Sequence, residues 1–184
     1  PSKYQYEVGH LINLSFSLGA IFGIGNLARI LFNKDIGRIT FLILFFFPIF
    51  FGHMGVNNKD TILAFCHVWI IYLVLKYFKK QKIKEKSKKY IISISLLAAT
   101  ATGIQLLFLG SLVPLFIFIV VEIFFLKKFI TKEFSNKIFY LDLIKCFLMF
   151  YLVLIVFWID VHSNILISPV IFINEFFSSN LITG

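Results

Sequence analysis

The residues best suited to chemistry in this sequence sit in one short polar stretch. Residues 46–60 read FFPIFFGHMGVNNKD, so His53, Asn57, Asn58, Lys59 and Asp60 fall together between two long apolar runs. A carboxylate at the start of a helix accepts from free backbone N–H groups and suits the positive end of the helix dipole, which makes Asp60 a helix cap. Beside Lys59 and His53 in so short a loop, the same carboxylate also suits an anion or substrate site. Spacing alone leaves both readings open. His53 and Asp60 together offer a divalent ion two ligands, which is short of a firm metal site. Glu7 and His10 have the Glu-x-x-His spacing that holds di-metal centres between helices, but no second copy of the motif occurs. With Asn13 one turn further on, they read as a polar stripe at a helix entrance. His67 stands seven residues beyond Asp60, on the same helical face and two turns deeper.

The elements that must position these groups are set by composition. The chain has 184 residues, 59% of them hydrophobic and 25 of them Phe, with a mean hydropathy of +0.92. Ordinary soluble domains hold about 45–50% apolar residues, so a water-soluble monomer is excluded. The net charge of +9 does not point to nucleic acid, because the basic residues form short blocks between apolar runs. Cys66 and Cys146 each lie inside an apolar run and offer no disulfide framework. Six segments approach the length of a membrane-spanning helix: 9–32, 39–52, 61–78, 90–109, 112–126 and 138–159. They lack the two-residue alternation of barrel strands, which predicts an all-α polytopic bundle forming a single transmembrane domain over 1–184.

Orientation follows from the cations. With the N-terminus outside, sixteen of the eighteen Lys and Arg fall at inner ends, leaving Lys3 and Lys59 outside. The lysine-rich block 79–89 is then a cytoplasmic turn. Glu7, His10, His53, Asp60, Asp160, His162 and Glu175 all gather at the outer face. Asp160 and His162 follow Trp158 as polar residues ordinarily do where a chain leaves a membrane. Gly19-x-x-x-Gly23, with Gly25 close by, is a helix-packing pattern, and Thr100, Thr102, Gly103 and Gln105 predict further interhelical contacts.

The order His10-Leu-Ile-Asn13, Gly19, Arg29, Pro48-x-Phe-Phe-Gly-His53 and Asn57-x-Lys59-Asp60 resembles the bacterial branch of the GT-C integral-membrane glycosyltransferases. These are related to protein O-mannosyltransferases and aminoarabinose transferases. The likeness is densest over 10–78, with a looser echo around Trp158, Pro169 and Glu175. Ile49 stands where the family pattern has Arg, and Asn58 where it has Pro. The resemblance implies sugar transfer from a polyprenyl-phosphate donor to an acceptor on the extracytoplasmic face of a bacterial inner membrane. Asp60 would then be catalytic, with His53, Asn57, Lys59 and His10 meeting donor or substrate, and membrane lipid as the other partner. The resemblance also places the family's main catalytic Asp in a loop that would precede Pro1. The chain therefore reads as an internal piece of a longer protein, inactive by itself. From the residues alone, a transporter or non-catalytic membrane subunit is the competing reading, with Asp60 and His67 as an intramembrane polar path.

Overall fold

The computed structural model describes residues 3–47, 58–157 and 174. Helix α1 (Lys3–Leu31) is followed by α2 (Lys34–Phe46), α3 (Asn58–Lys80), α4 (Lys84–Ile104), the single turn α5 (Phe108–Ser111), α6 (Val113–Val121) and α7 (Asn136–Phe157). Among the described residues there is no strand, as the apolar runs predict.

Local chemistry explains where the helices start and stop. Asn33 sits in extended backbone, and its side chain accepts from the N–H groups of Asp35 and Ile36 at 3.0 and 2.9 Å. That cap turns the chain sharply from α1 into α2. Helix α2 ends at Phe46, and Phe47 is already extended, because the following Pro48 disfavours helical backbone there. Helix α6 passes into a π-helical turn, Glu122–Leu126, which Lys127 terminates in left-handed backbone at φ 49°. Glu122 is wholly buried, and its Oε1 accepts from the backbone N–H groups of Phe129 and Ile130.

Four helical stretches are long and apolar enough to cross a membrane: Glu7–Leu31, Lys59–Lys80, Phe108–Leu126 and Asn136–Val156. Two of the six expected spans fall short of that standard. Helix α2 begins at Lys34 rather than 39 and has 13 residues, about 20 Å of a hydrocarbon layer about 30 Å thick. Helix α4 has 21 residues, but its first turns carry Lys84, Lys86, Lys88 and Lys89, which shortens the apolar part. Both helices still pack into the bundle, α2 against α1, and α4 against α3 and α7.

Helix α3 is the centre of the packing. Cys66, Ile70, Val74, Leu75, Tyr77 and Phe78 all lie in the core with Ile91, Ala98 and Ala101 of α4. Glycines let α1 approach on either side. A Cβ at Gly23 would come within 2.8 Å of Val68 on α3, and one at Gly37 of α2 would meet the Gly25 carbonyl at 2.8 Å. The GxxxG stripe therefore packs helices, as its spacing predicts.

Candidate functional site

The site is built from the parallel pair α1 and α3. Trp69 Nε1 donates to the Gly19 carbonyl at 3.1 Å, and a Cβ at Gly19 would press on the Phe65 ring. One level higher, the Thr61 hydroxyl donates to Asn13 Oδ1 with both residues buried. This bond joins the first turn of α3 to the polar stripe of α1. His10 lies one turn before Asn13 and is half-buried, while Glu7, one turn earlier again, is exposed. Lys59 and Asp60, just before Thr61, are exposed at the same end of the pair. Glu7, His10, Lys59 and Asp60 thus share the end where the helices begin.

Helix α3 starts at Asn58, so Asp60 is its third residue rather than the residue that caps it. In that first turn the carboxylate faces the positive end of the helix dipole, an interaction worth about 0.3–1 kcal/mol at an exposed site. His53 and Asn57 lie outside the described residues, as do Trp158, Asp160, His162 and Glu175. Their meeting with Asp60 is an expectation from sequence. No group of three or more His, Cys, Asp or Glu stands together among the described residues.

Two turns deeper, His67 lines an open cavity of about 280 Å³ with Gln105, Phe108 and Ser111. Its Nδ1 is 3.4 Å from the Ser111 hydroxyl, and its ring meets Phe108 edge-on with centroids 5.9 Å apart. Asp60 and His67 are about 10 Å apart along the helix axis. Gln105, for which the sequence offers helix packing first and pocket lining second, borders this cavity. Thr102, one turn before it on α4, is buried, with its hydroxyl unpaired among the described residues.

Two polar centres escaped the sequence reading. Asp142 of α7 is buried at the lysine-rich end, where its Oδ2 accepts from Tyr77 of α3 and Ser87 of α4, each at 3.0 Å. Gln81 extends the network by donating to the Tyr77 oxygen at 3.2 Å and exchanging two bonds with the backbone of Ser135. Lys145 Nζ adds a contact of 3.3 Å to Asp142 Oδ1. Three helices are thereby clamped by one carboxylate. The other centre is Glu122, and its signal was legible: it is the one acid inside the apolar run 112–126.

Fold and polar layout define a helical membrane protein with polar side chains collected at one end of its α1–α3 pair. Residues 8–158 match the dolichyl-phosphate-mannose-protein mannosyltransferase family, and the chain belongs to that family. It is a family of membrane glycosyltransferases that use polyprenyl-phosphate sugars. Neither a curated protein nor a solved structure matches the chain.

Proposed function

We propose that this chain takes part in transferring a sugar from a polyprenyl-phosphate donor to an acceptor on the extracytoplasmic face, at the Asp60 end of the α1–α3 pair. The observation that carries this reading is the buried Thr61–Asn13 bond, which fixes the first turn of α3 beside the polar stripe of α1. In the transfer, an acceptor hydroxyl oxygen attacks the anomeric carbon of the sugar. The bond from that carbon to the phosphate oxygen breaks, and polyprenyl phosphate leaves with the electron pair. The hydroxyl proton passes to a carboxylate base. Lys59 meets the negative charge growing on the departing phosphate. Asp60 orients Lys59 and the acceptor, while His10, His53 and Asn57 supply hydrogen bonds to the donor head. The donor's tail stays in the bilayer against the apolar outer faces of the helices. A bacterial inner membrane fits the resemblance and the distribution of cations.

The test is Asp60→Asn in membranes where the wild-type protein transfers sugar. Asparagine keeps the size and a hydrogen-bonding oxygen but removes the charge. Loss of the dipole interaction alone costs about 0.3–1 kcal/mol of stability and leaves the rate nearly intact. Loss of a charged contact to the reacting groups lowers the rate by about 10²-fold. The expected result is the second, at wild-type expression. Full activity in Asp60→Asn would remove Asp60 from the site.

A further inference from the structure

The end of the bundle away from Asp60 holds a groove that the transfer reaction does not use. It lies between α1 and α2, has a volume of about 370 Å³, and is lined by Arg29, Lys34 and Arg38 at its mouth and Phe22, Phe41 and Leu42 within. The close crossing at Gly25 and Gly37 forms its floor, because a side chain at either position would collide with the other helix. Arg29 is two residues from the end of the span Glu7–Leu31, so the mouth sits at the level of the membrane surface. Phe22 is two turns further in, about 10 Å deeper. The groove thus changes from cationic to apolar along the direction in which a lipid changes from headgroup to chain.

Charge within the groove is unbalanced. Among the described residues no carboxylate lines it. Arg29 and Lys34 have no acidic partner among the described residues, and Arg38 has Asp35 at 3.6 Å across an exposed, solvent-screened contact. The α2 N-terminus makes no demand of its own, since the Asn33 side chain already accepts from its free N–H groups. Two guanidinium groups and an ammonium line one groove with a single exposed carboxylate, Asp35, beside one of them, at the depth where lipid phosphates lie.

We propose that this groove binds one anionic phospholipid of the adjacent leaflet, with its phosphate among Arg29, Lys34 and Arg38 and an acyl chain along Phe22, Phe41 and Leu42. The site is separate from the sugar-transfer end and does not depend on that reading. Its occupant ties the start of α2 to the end of α1.

Binding is measured by fluorescence anisotropy of labelled phosphatidylglycerol with the whole chain in neutral detergent micelles. Unlabelled phosphatidylglycerol, phosphatidylcholine and inorganic phosphate serve as competitors. The wild type should prefer phosphatidylglycerol over phosphatidylcholine by at least about tenfold, with millimolar phosphate displacing neither. The triple variant Arg29→Gln, Lys34→Gln, Arg38→Gln should reduce the preference to about twofold or less. A charge-matched variant in the lysine-rich turn, Lys79→Gln, Lys88→Gln, Lys89→Gln, should keep it. All six side chains are exposed, so neither variant disturbs the core. Absence of a preference in the wild type, equal loss in both variants, or displacement by phosphate alone would each overturn the proposal.

Discussion

Asn13 and Thr61 are polar side chains buried between two apolar helices, and the bond between them removes a desolvation cost that each would otherwise carry. In bilayers such interhelical bonds are worth about 0.6 kcal/mol on average and about 1.7 at most, because the separated helices find other partners. Thr61→Val should therefore lower stability by about 1 kcal/mol through loss of the bond to Asn13. The pair Asn13→Leu, Thr61→Val should recover part of that loss, as judged by thermal unfolding in detergent. If the site reading is right, activity will fall more than stability does, because the same bond holds Asp60 and His10 at one end. His67 presents the opposite case. Its 3.4 Å contact with Ser111 is long for a hydrogen bond, so Ser111→Ala should change stability by less than about 1 kcal/mol.

Helix packing makes sharper demands, and they differ from glycine to glycine. At Gly19 an added methyl meets the edge of the Phe65 ring, a side chain rather than backbone. At Gly37 it meets the Gly25 carbonyl and the start of the Arg29 side chain, both at 2.8 Å. Backbone cannot yield so easily. Gly37→Ala should cost about 1–3 kcal/mol and exceed the cost of Gly19→Ala, by thermal unfolding of the two variants side by side. At the opposite side of the bundle, Asp142→Ala leaves Tyr77 and Ser87 facing each other without their acceptor. Leaving a buried donor without its acceptor costs about 1–3 kcal/mol, and two lose theirs here, so this variant should be among the least stable single substitutions, as read by thermal unfolding.

These two elements also mark how far the sequence could be read. The GxxxG stripe was legible because small residues at helical spacing have one physical use in a bilayer. The Asp142 clamp was not, because its partners Tyr77 and Ser87 come from other helices and share no period with it. Segment 39–52 already reads as short, with Pro48 inside it, and α2 has 13 residues. Segment 90–109 reads as a span, but α4 begins in the lysine-rich turn at Lys84. The start of α3 at Asn58 moved Asp60 from cap to first turn, a shift of a few residues that changes what its carboxylate does.

At the scale of the molecule, polarity is arranged as a bilayer requires. Large side chains such as Phe22, Ile43, Phe116, Phe125, Phe147 and Leu152 point outward, while Asn13, Ser17, Thr61, Ser95, Thr102, Glu122 and Asp142 are buried among helices. Water would favour the reverse. The parallel contacts of α1 with α3 and the Tyr77–Asp142–Ser87 bonds bring the C-terminal ends of α1 and α3 to the same side as the N-terminal ends of α4 and α7. The sixteen cations therefore collect at one end, opposite Lys3 and Lys59. That asymmetry predicts the Lys3 end outside and residue 85 inside the cell. In a background of Cys66→Ala and Cys146→Ala, an impermeant thiol reagent should label Lys3→Cys but not Glu85→Cys in intact cells.

The same sidedness gives the most direct test of sugar transfer at the Asp60 end. Sealed native membrane vesicles carrying the chain within its longer natural protein are supplied with radiolabelled polyprenyl-phosphate sugar, and the labelled product is challenged with a glycosidase that cannot cross the bilayer. The account predicts label transfer above that of vesicles lacking the protein, with product exposed to the glycosidase on the side that labels Lys3→Cys. Product confined to the side that labels Glu85→Cys, or no transfer above the control, would contradict it.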